Sequence, residues 1–344
     1  MQPMSLARCA PKLWPTRGAA LAAGAATATL ATVALLASFA PATAQAQQYP
    51  NRPVRLLVGY APGGSTDTAA RVVGARLQTA LGQAFVVENV PGANAILAHQ
   101  RVVKAAPDGY TLIISSSADT VNATLNASKT GYKYPDDFTP IARLTQSTFF
   151  VLVNAQTPVK SIRDLLDYAK THDVSYSSSG VGTPSHLGVE LLFQSRNLKG
   201  LHAPYAGAGP ATLAVLAGTT QLSFTNMSSG QAALKDQRVR VIAQSGKTRS
   251  RLAADIPTVT EQGVPDFDVV SWAGLDGPGG LPANIVKILA DASLAALKDN
   301  GTLQNLATAG TESYAQDTAE YTAFLKNEIN IWARVLKAAN VKPE

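Results

Sequence analysis

Apolar and polar positions along the chain follow two periods, and the switch between them marks out the elements. Val54 to Val58 reads as a buried strand, Pro62-Gly63-Gly64 as a tight turn, and the stretch from Ser65 as a helix. Ala69, Val72, Val73, Leu77, Ala80 and Leu81 keep helical spacing, with Gly82 as the stop signal and Ser65 as the expected cap. Phe85 to Glu88 predicts a second strand, Pro91 to Asn94 a turn, and Ile96, Leu97 and Val102 one face of a helix ending near Pro107-Asp108-Gly109. Tyr110 to Ser115 predicts a third strand, running into a hydroxyl-rich loop over Ser115 to Thr120. The order β-α-β-α-β implies a parallel sheet with helices on its faces.

The same grammar returns further on. Phe149 to Asn154 is an apolar run, and Ser161-x-x-Asp164 opens a helix. Val174 to Ser177 predicts a strand, Ser179 to His186 a second Gly-rich turn, and Leu187, Leu191, Leu192 and Phe193 a helix. Lys199 to Pro204, Gln221 to Thr225 and Arg240 to Gln244 complete the strands of this half, with a helix ending at Gly218 between them. The chain is expected to return to the first half near Trp272. Pro282 should open a helix that stops at Asn300-Gly301, and Asp317 to Glu320 should open the last one, with Tyr321, Phe324, Leu325, Trp332 and Leu336 on one face. Two strand–Gly turn–helix units imply two similar α/β halves. No low-complexity linker divides them, so the expected first domain is discontinuous, 47–147 plus 272–344, around a second at 148–271.

Composition changes the picture chiefly at the start. Arg8, Lys12 and Arg17, an Ala/Leu-rich run from Ala19 to Ala40, and Ala44-Gln45-Ala46 have the form of a secretory signal peptide over 1–46, cut before Gln47. The run is long enough to span a bilayer, which leaves an uncleaved anchor as the alternative. Cleavage reduces the charge from +6 to 26 basic against 23 acidic residues, a net +3, and removes the sole cysteine, Cys9. No disulfide is then expected, and the absence of Lys/Arg-rich runs with aromatics excludes a nucleic-acid partner.

Both Gly-rich turns aim backbone N–H groups and a positive helix end at one point, which suits an anion. Strand–turn–helix joints are common to all α/β proteins, so one such loop alone does not establish a site. Other chemistry is missing. Gly246-Lys247-Thr248 has a Walker tail without its first glycine, Gly180-Val181-Gly182 is followed by Ser185 where a dinucleotide fingerprint needs glycine, and no Gly-x-Ser-x-Gly occurs. His99, His172, His186 and His202 show no ligand spacing, and His186 with Glu190 reads as a solvated pair, so neither metal nor cofactor is expected. A hydrolase built on Ser65, His186 and Asp67 would lack a base–orienter pair. Asp67 has Arg71 four residues on, which favours an ion pair over catalysis.

Taken together, Tyr60-Ala61-Pro62-Gly63-Gly64-Ser65-Thr66-Asp67, Val87-Glu88-Asn89-Val90-Pro91-Gly92-Ala93, Pro107-Asp108-Gly109-Tyr110-Thr111-Leu112 and Asp137-Phe138-Thr139-Pro140-Ile141-Ala142 resemble the Bug (TctC-like) extracytoplasmic solute receptors of tripartite tricarboxylate transporters. Gly182-Thr183-Pro184-Ser185-His186-Leu187, His202-Ala203-Pro204-Tyr205 and the Ile256-to-Pro265 segment extend the likeness over the mature chain. The resemblance implies a type II periplasmic-binding-protein fold of two doubly wound α/β domains on a hinge, no enzyme activity, and a monomer that passes a small carboxylate to membrane permease subunits. A receptor reporting to a membrane sensor is the alternative partner, and a secreted hydrolase the alternative class. By position, the resemblance implies ligand contacts from Tyr60, Gly63, Gly64, Ser65, Thr66 and Asp67 on one side. Gly180, Gly182, Thr183 and His186 would face them, with Ser115, Ser116, Ala118, Asn122, Tyr205 and Asn226 lining the cleft. Two departures stand out: Ala93-Asn94-Ala95 replaces the usual glycines, and Ala206 stands where relatives often carry Lys. The four cleft loops hold no Lys or Arg, so neutral donors must meet the anion.

Overall fold

In a computed structural model, which describes residues 49–342, the apolar runs become the strands of one curled ten-stranded sheet. The strands are β1 (Val54–Val58), β2 (Phe85–Asn89), β3 (Thr111–Ser116), β4 (Phe138–Asn154), β5 (Ser175–Ser178), β6 (Leu201–Pro204), β7 (Leu222–Asn226), β8 (Val239–Gln244), β9 (Val270–Pro278) and β10 (Glu312–Gln316). β1 pairs in parallel with β2 and β3, and β5 in parallel with β6 and β7, as the alternation of strand and helix predicts.

What joins these two parallel wings is β4. Its first part, to Thr148, pairs antiparallel with β9 and β10, and its second part, from Phe149, pairs antiparallel with β7 and β8. The apolar run in the sequence covers only Phe149 to Asn154 of this strand, since Pro140 and the hydroxyl-rich Thr145 to Thr148 interrupt the apolar pattern before it. Pairing along both edges holds those polar residues in strand form all the same.

Helices cover both wings. They are α1 (Ser65–Leu81), α2 (Ile96–Val102), α3 (Ser117–Leu125), α4 (Ala127–Thr130), α5 (Ile162–Tyr168), α6 (Pro184–Gln194), α7 (Ala208–Leu216), α8 (Met227–Gly230), α9 (Ala283–Ala296), α10 (Asn300–Thr308) and α11 (Thr318–Ala338). Leu56, Val58, Ala69, Val73, Leu77, Leu112 and Leu289 form the core of the first wing, and Val151, Val153, Leu165, Tyr176, Leu192 and Phe224 that of the second. α11 belongs to both: Tyr321 and Leu325 pack beneath the first wing, while Trp332, Val335 and Leu336 enter the second core. With β4 and β9 it makes a third tie. Residues 49–342 accordingly form one compact unit.

Three local expectations change. The cap of α1 is Gly64, in extended geometry, because Asp67 accepts the Gly63 N–H and draws the turn round one residue early; Ser65 is already helical and caps nothing. Ser115 to Thr120 is not a loop: Ser116 ends β3 and, with Asp119, builds a capping box for α3. Asn300-Gly301 starts a helix instead of stopping one, since Asp299 accepts the Thr302 N–H and pairs with Arg76. The caps expected from Ser161 and Asp317 are present. The signal-peptide reading lies outside the described residues, among which no helix is long and apolar enough to cross a membrane.

Candidate ligand-binding site

The C-terminal ends of β1, β2, β3, β5, β6 and β7 carry the loops that sequence analysis singled out, which is where open α/β sheets place ligands. In the first loop, Asp67 is 2% exposed and fully engaged. It accepts from Gly63 N (2.9 Å), Asn89 Nδ2 (2.8 Å), and Arg71 Nε and Nη2 (2.9 and 3.0 Å). Burial opposes its ionisation, but Arg71, the Gly63 N–H and Asn89 outweigh that and hold it below the usual carboxylate range. Asp67 therefore shapes the loop and has no oxygen to spare for a ligand. Asn89 also donates to Tyr60 O, and the Tyr60 hydroxyl meets Ser116 Oγ at 3.1 Å. No side chain caps α1, so its first-turn N–H groups stay open. Ser65 and Thr66 line a crevice with Thr145, Ser271 and Trp272 that is too narrow for water.

Several of the expected cleft residues have polar atoms engaged within the protein. Ser115 Oγ donates to Asp276 Oδ2 (2.5 Å) and faces His99 Nε2 at 3.2 Å, beneath the sheet. Ser116 is the buried N-cap of α3, and Ala118 lies in its buried first turn. Asn122 Nδ2 donates to Asn94 O (2.8 Å), while its Oδ1 accepts from Asn126. Asn226 Oδ1 accepts from Ser228 Oγ and Ser229 N, at the start of α8. Tyr205 is held through its backbone, whose N–H donates to Ser178 O.

The second loop is clamped by two histidines. Gly182 N donates to His186 Nδ1 at 3.1 Å, which fixes the proton of that ring on Nε2. His186 stacks on His202, ring centroids 3.8 Å apart and planes 4° apart, and Tyr176 stacks on His202 at 4.9 Å. His202 Nε2 lies 2.6 Å from Ser178 Oγ, and that hydroxyl accepts from Gly180 N. Burial, then the neighbouring His202, pushes His186 down to about 3; burial takes His202 to about 4. Both rings are therefore neutral at pH 7. His186 is 4% exposed and Glu190 accepts from the Tyr176 hydroxyl, so the expected solvated His186–Glu190 pair does not exist. Thr183 Oγ1 donates to Gly180 O (2.7 Å), within the loop. Gly182 has φ +71, and a Cβ there would meet Leu125 Cδ2 at 2.4 Å, so only glycine fits where this loop touches α3.

A third loop, missed as a functional element, turns at Ala93, Asn94 and Ala95, with φ of 47, 52 and 72. Left-handed backbone costs about 1–2 kcal/mol per non-glycine residue. Asn122 Nδ2 to Asn94 O and His99 Nδ1 to Ala95 O hold it in place. The sequence signal was the loss of glycine after Gly92. Asn89 and Asp276 were also missed. Asn89 sits at a strand end where the rule for parallel sheets would have found it, whereas Asp276 becomes relevant only through the β3–β9 pairing.

The family model of the tripartite tricarboxylate transporter family receptor matches residues 69–341. The chain belongs to that family. It is 33% identical over 311 residues to a UPF0065 protein from the TAR-I ttuE-ttuC' intergenic region of Agrobacterium vitis, covering 89% of this chain and 90% of the relative. BugT of Bordetella pertussis is 30% identical over 305 residues, with 88% and 93% covered. Among solved structures, MatC of Rhodopseudomonas palustris with bound malate has a TM-score of 0.70 at 31% identity, covering 84% of this chain and all of that one. Another R. palustris protein, solved with adipate, has a TM-score of 0.73 at 29% identity, with 86% and 100% covered. The family consists of solute-binding receptors and not enzymes, and this receptor has the same curled α/β fold. Among the described residues no group of three His, Cys, Asp or Glu side chains is placed to hold a metal.

Proposed function

We propose that this receptor, exported to the periplasm and trimmed of residues 1–46, captures a small organic carboxylate between its two wings and hands it to the permease of a tripartite tricarboxylate-type transporter. One observation carries the reading. α1 and α6 each follow a Gly-rich loop at the C-terminal end of a parallel strand, β1 and β5, and neither has a side-chain cap. α2, α7 and α9 also lack one, whereas α5, α10 and α11 are capped by Ser161, Asp299 and Asp317. Each wing thus offers an uncapped helix N-terminus, and a carboxylate supplies the acceptors that a cap would. The malate and adipate bound to structural neighbours are carboxylates of this size.

The domains are taken to be the two wings, with β4, β9 and α11 as the hinge. One carboxylate reaches both loops only when the wings approach, so binding favours the closed arrangement. The expected partners follow from the family: a carboxylate ligand, permease subunits, and a monomeric receptor. Intact mass of the exported protein should begin at Gln47; a chain starting at Met1 in the membrane fraction would overturn the processing. Mass spectrometry of ligand released from freshly purified, denatured protein identifies the acid. At a hundredfold excess over Kd that acid should add about 2.7 kcal/mol of stability, a melting shift of roughly 5–10 °C for a chain of this size. No shift with any mono-, di-, tri- or aromatic carboxylate would overturn the function.

A further inference from the structure

The elements between the wings carry two opposite charges that are buried and do not meet. Arg143, on the part of β4 that pairs with β9 and β10, is 3% exposed. Its Cζ lies 4.4 Å from the ring centre of Tyr314 on β10 and 3.9 Å from that of Phe324 on α11. Its hydrogen bonds are two long ones, both 3.3 Å, to the side-chain oxygens of Gln316 and Gln146. Nε has no partner in the protein, and among the described residues no carboxylate forms an ion pair with this guanidinium. A buried charge held only by two weak amide contacts is costly.

Glu328, on the buried face of α11, is the charge that acts most strongly on Arg143. The groups facing Glu328 are Thr120 of α3 and Trp272 of β9, which donate to it, Arg143 of β4, and Asp268 just before β9. Asp268 is exposed and accepts the Lys247 N–H. Burial outweighs the donors and Arg143 and favours the neutral carboxyl, so a proton stands here in place of an ion pair. Both charges ride on elements that run through the two wings. β4 pairs first with β9 and β10 and then with β7 and β8, while α11 packs Tyr321 and Leu325 under one core and Trp332 in the other. A rotation of the wings moves α11 over β4, and Glu328 over Arg143.

Resting on the two-wing receptor reading above, we propose that Arg143 and Glu328 form a proton-linked latch, in which closing the wings brings guanidinium and carboxylate into contact. As the pair forms, the O–H bond of Glu328 breaks and its proton passes to solvent. The closed arrangement then gains an ion pair and the open one keeps a neutral acid. Alkaline conditions favour closure, and acid that keeps Glu328 protonated in both arrangements removes the advantage. The latch makes capture at the Gly-rich loops depend on two residues that touch no ligand.

Small-angle scattering of the mature protein without ligand is the first test. Its radius of gyration should be smaller at pH 8.5 than at pH 6, and the difference should vanish in Glu328→Gln and in Arg143→Met. Calorimetry with malate and adipate, the acids held by structural neighbours, is the second. If closure lowers the Glu328 midpoint by about one unit, the acid that binds should do so about fivefold more tightly at pH 8.5 than at pH 6. It should also release about 0.4 proton per molecule bound at pH 7. In that complex the fluorescence of Trp272 should titrate about one unit lower than in the free protein. A radius that ignores pH in the parent, or a pH dependence that survives in Glu328→Gln, would overturn the latch. So would an acid that compacts the protein with equal affinity at both pH values and no proton release, although the receptor reading would then stand. An acid that binds without compaction would overturn the hinge, and the latch with it.

Discussion

Replacing His186 by phenylalanine should cost this receptor its ligand while leaving it folded. The phenyl ring keeps the stack on His202, but Gly182 N–H loses its acceptor inside the protein. An unmet buried donor costs about 1–3 kcal/mol, and the loop will relax to avoid it. Carboxylate affinity should fall by one to two orders of magnitude, about 1.4–2.8 kcal/mol. Asparagine, whose Oδ1 stands where Nδ1 was, should recover most of the loss. If His186→Phe binds as the parent does, the clamp is not what shapes the loop. The pair also sets a pH dependence. Both folded-state values lie below the ordinary 6.5, so the unfolded chain takes up protons first as pH falls. Stability supplied by the neutral pair is complete above 6.5 and drains away as pH falls toward the folded values of about 4 and 3. His186 should contribute about 2 kcal/mol to that loss by pH 4.5, and the half-buried His202 less. The asparagine variant should flatten this limb of the stability–pH curve.

The second large effect is a gain. Glu328 on α11 is 6% exposed, and burial raises it to about 7 despite the Thr120 and Trp272 donors and the nearby Arg143. Thr120 Oγ1 (2.8 Å) and Trp272 Nε1 (2.7 Å) both donate to Oε2. The folded state thus holds a proton that the unfolded chain has released. Stability from that proton is complete below about 4.5 and is lost as pH rises through 7. Glu328→Gln keeps an acceptor for both donors and removes the charge. At pH 8 it should stabilise the protein by about 2–3 kcal/mol, and at pH 4 by almost nothing. Denaturant unfolding at the two pH values decides it: equal shifts at both would mean that Glu328 does not titrate between them. Because the indole of Trp272 hydrogen-bonds this carboxylate, its fluorescence should also titrate near pH 7 without ligand.

Much of the fold was legible because local rules and tertiary packing agree. The apolar residues of Val54–Val58 are buried, as are Ala69, Val73 and Leu77 of the first helix, while Val72 and Leu81 are half-buried and Ala80 is exposed at the helix end; Ser161 and Asp317 cap what they precede. The failures lie where long-range pairing overrides local preference. Thr145 to Thr148 is strand because β9 and β10 flank it, and Ser115 faces Asp276, 161 residues away in the chain. The two Gly-rich loops of the candidate site were legible as turns before helices, but not the hydrogen bonds within them. The i,i+4 spacing of Asp67 and Arg71 did announce their ion pair, but nothing in the spacing of Asn122 and Asn226 says that the Asn122 amide and the Asn226 Oδ1 are engaged within the protein. Nor does the distance between His186 and His202 in the chain announce a stack.

A crystal structure of the receptor with its co-purified ligand tests whether both Gly-rich loops hold the carboxylate. A carboxylate is expected within hydrogen-bonding distance of open backbone N–H groups from both loops, Ser65 or Thr66 on α1 and Val181 before α6. A second cavity, about 320 Å³, lies beside Arg249, Arg251 and Tyr314 and offers the guanidinium groups that the cleft loops lack. A carboxylate bound there, with the loops at Gly63 to Asp67 and Gly180 to His186 unoccupied, would overturn the assignment of the two loops as the binding site.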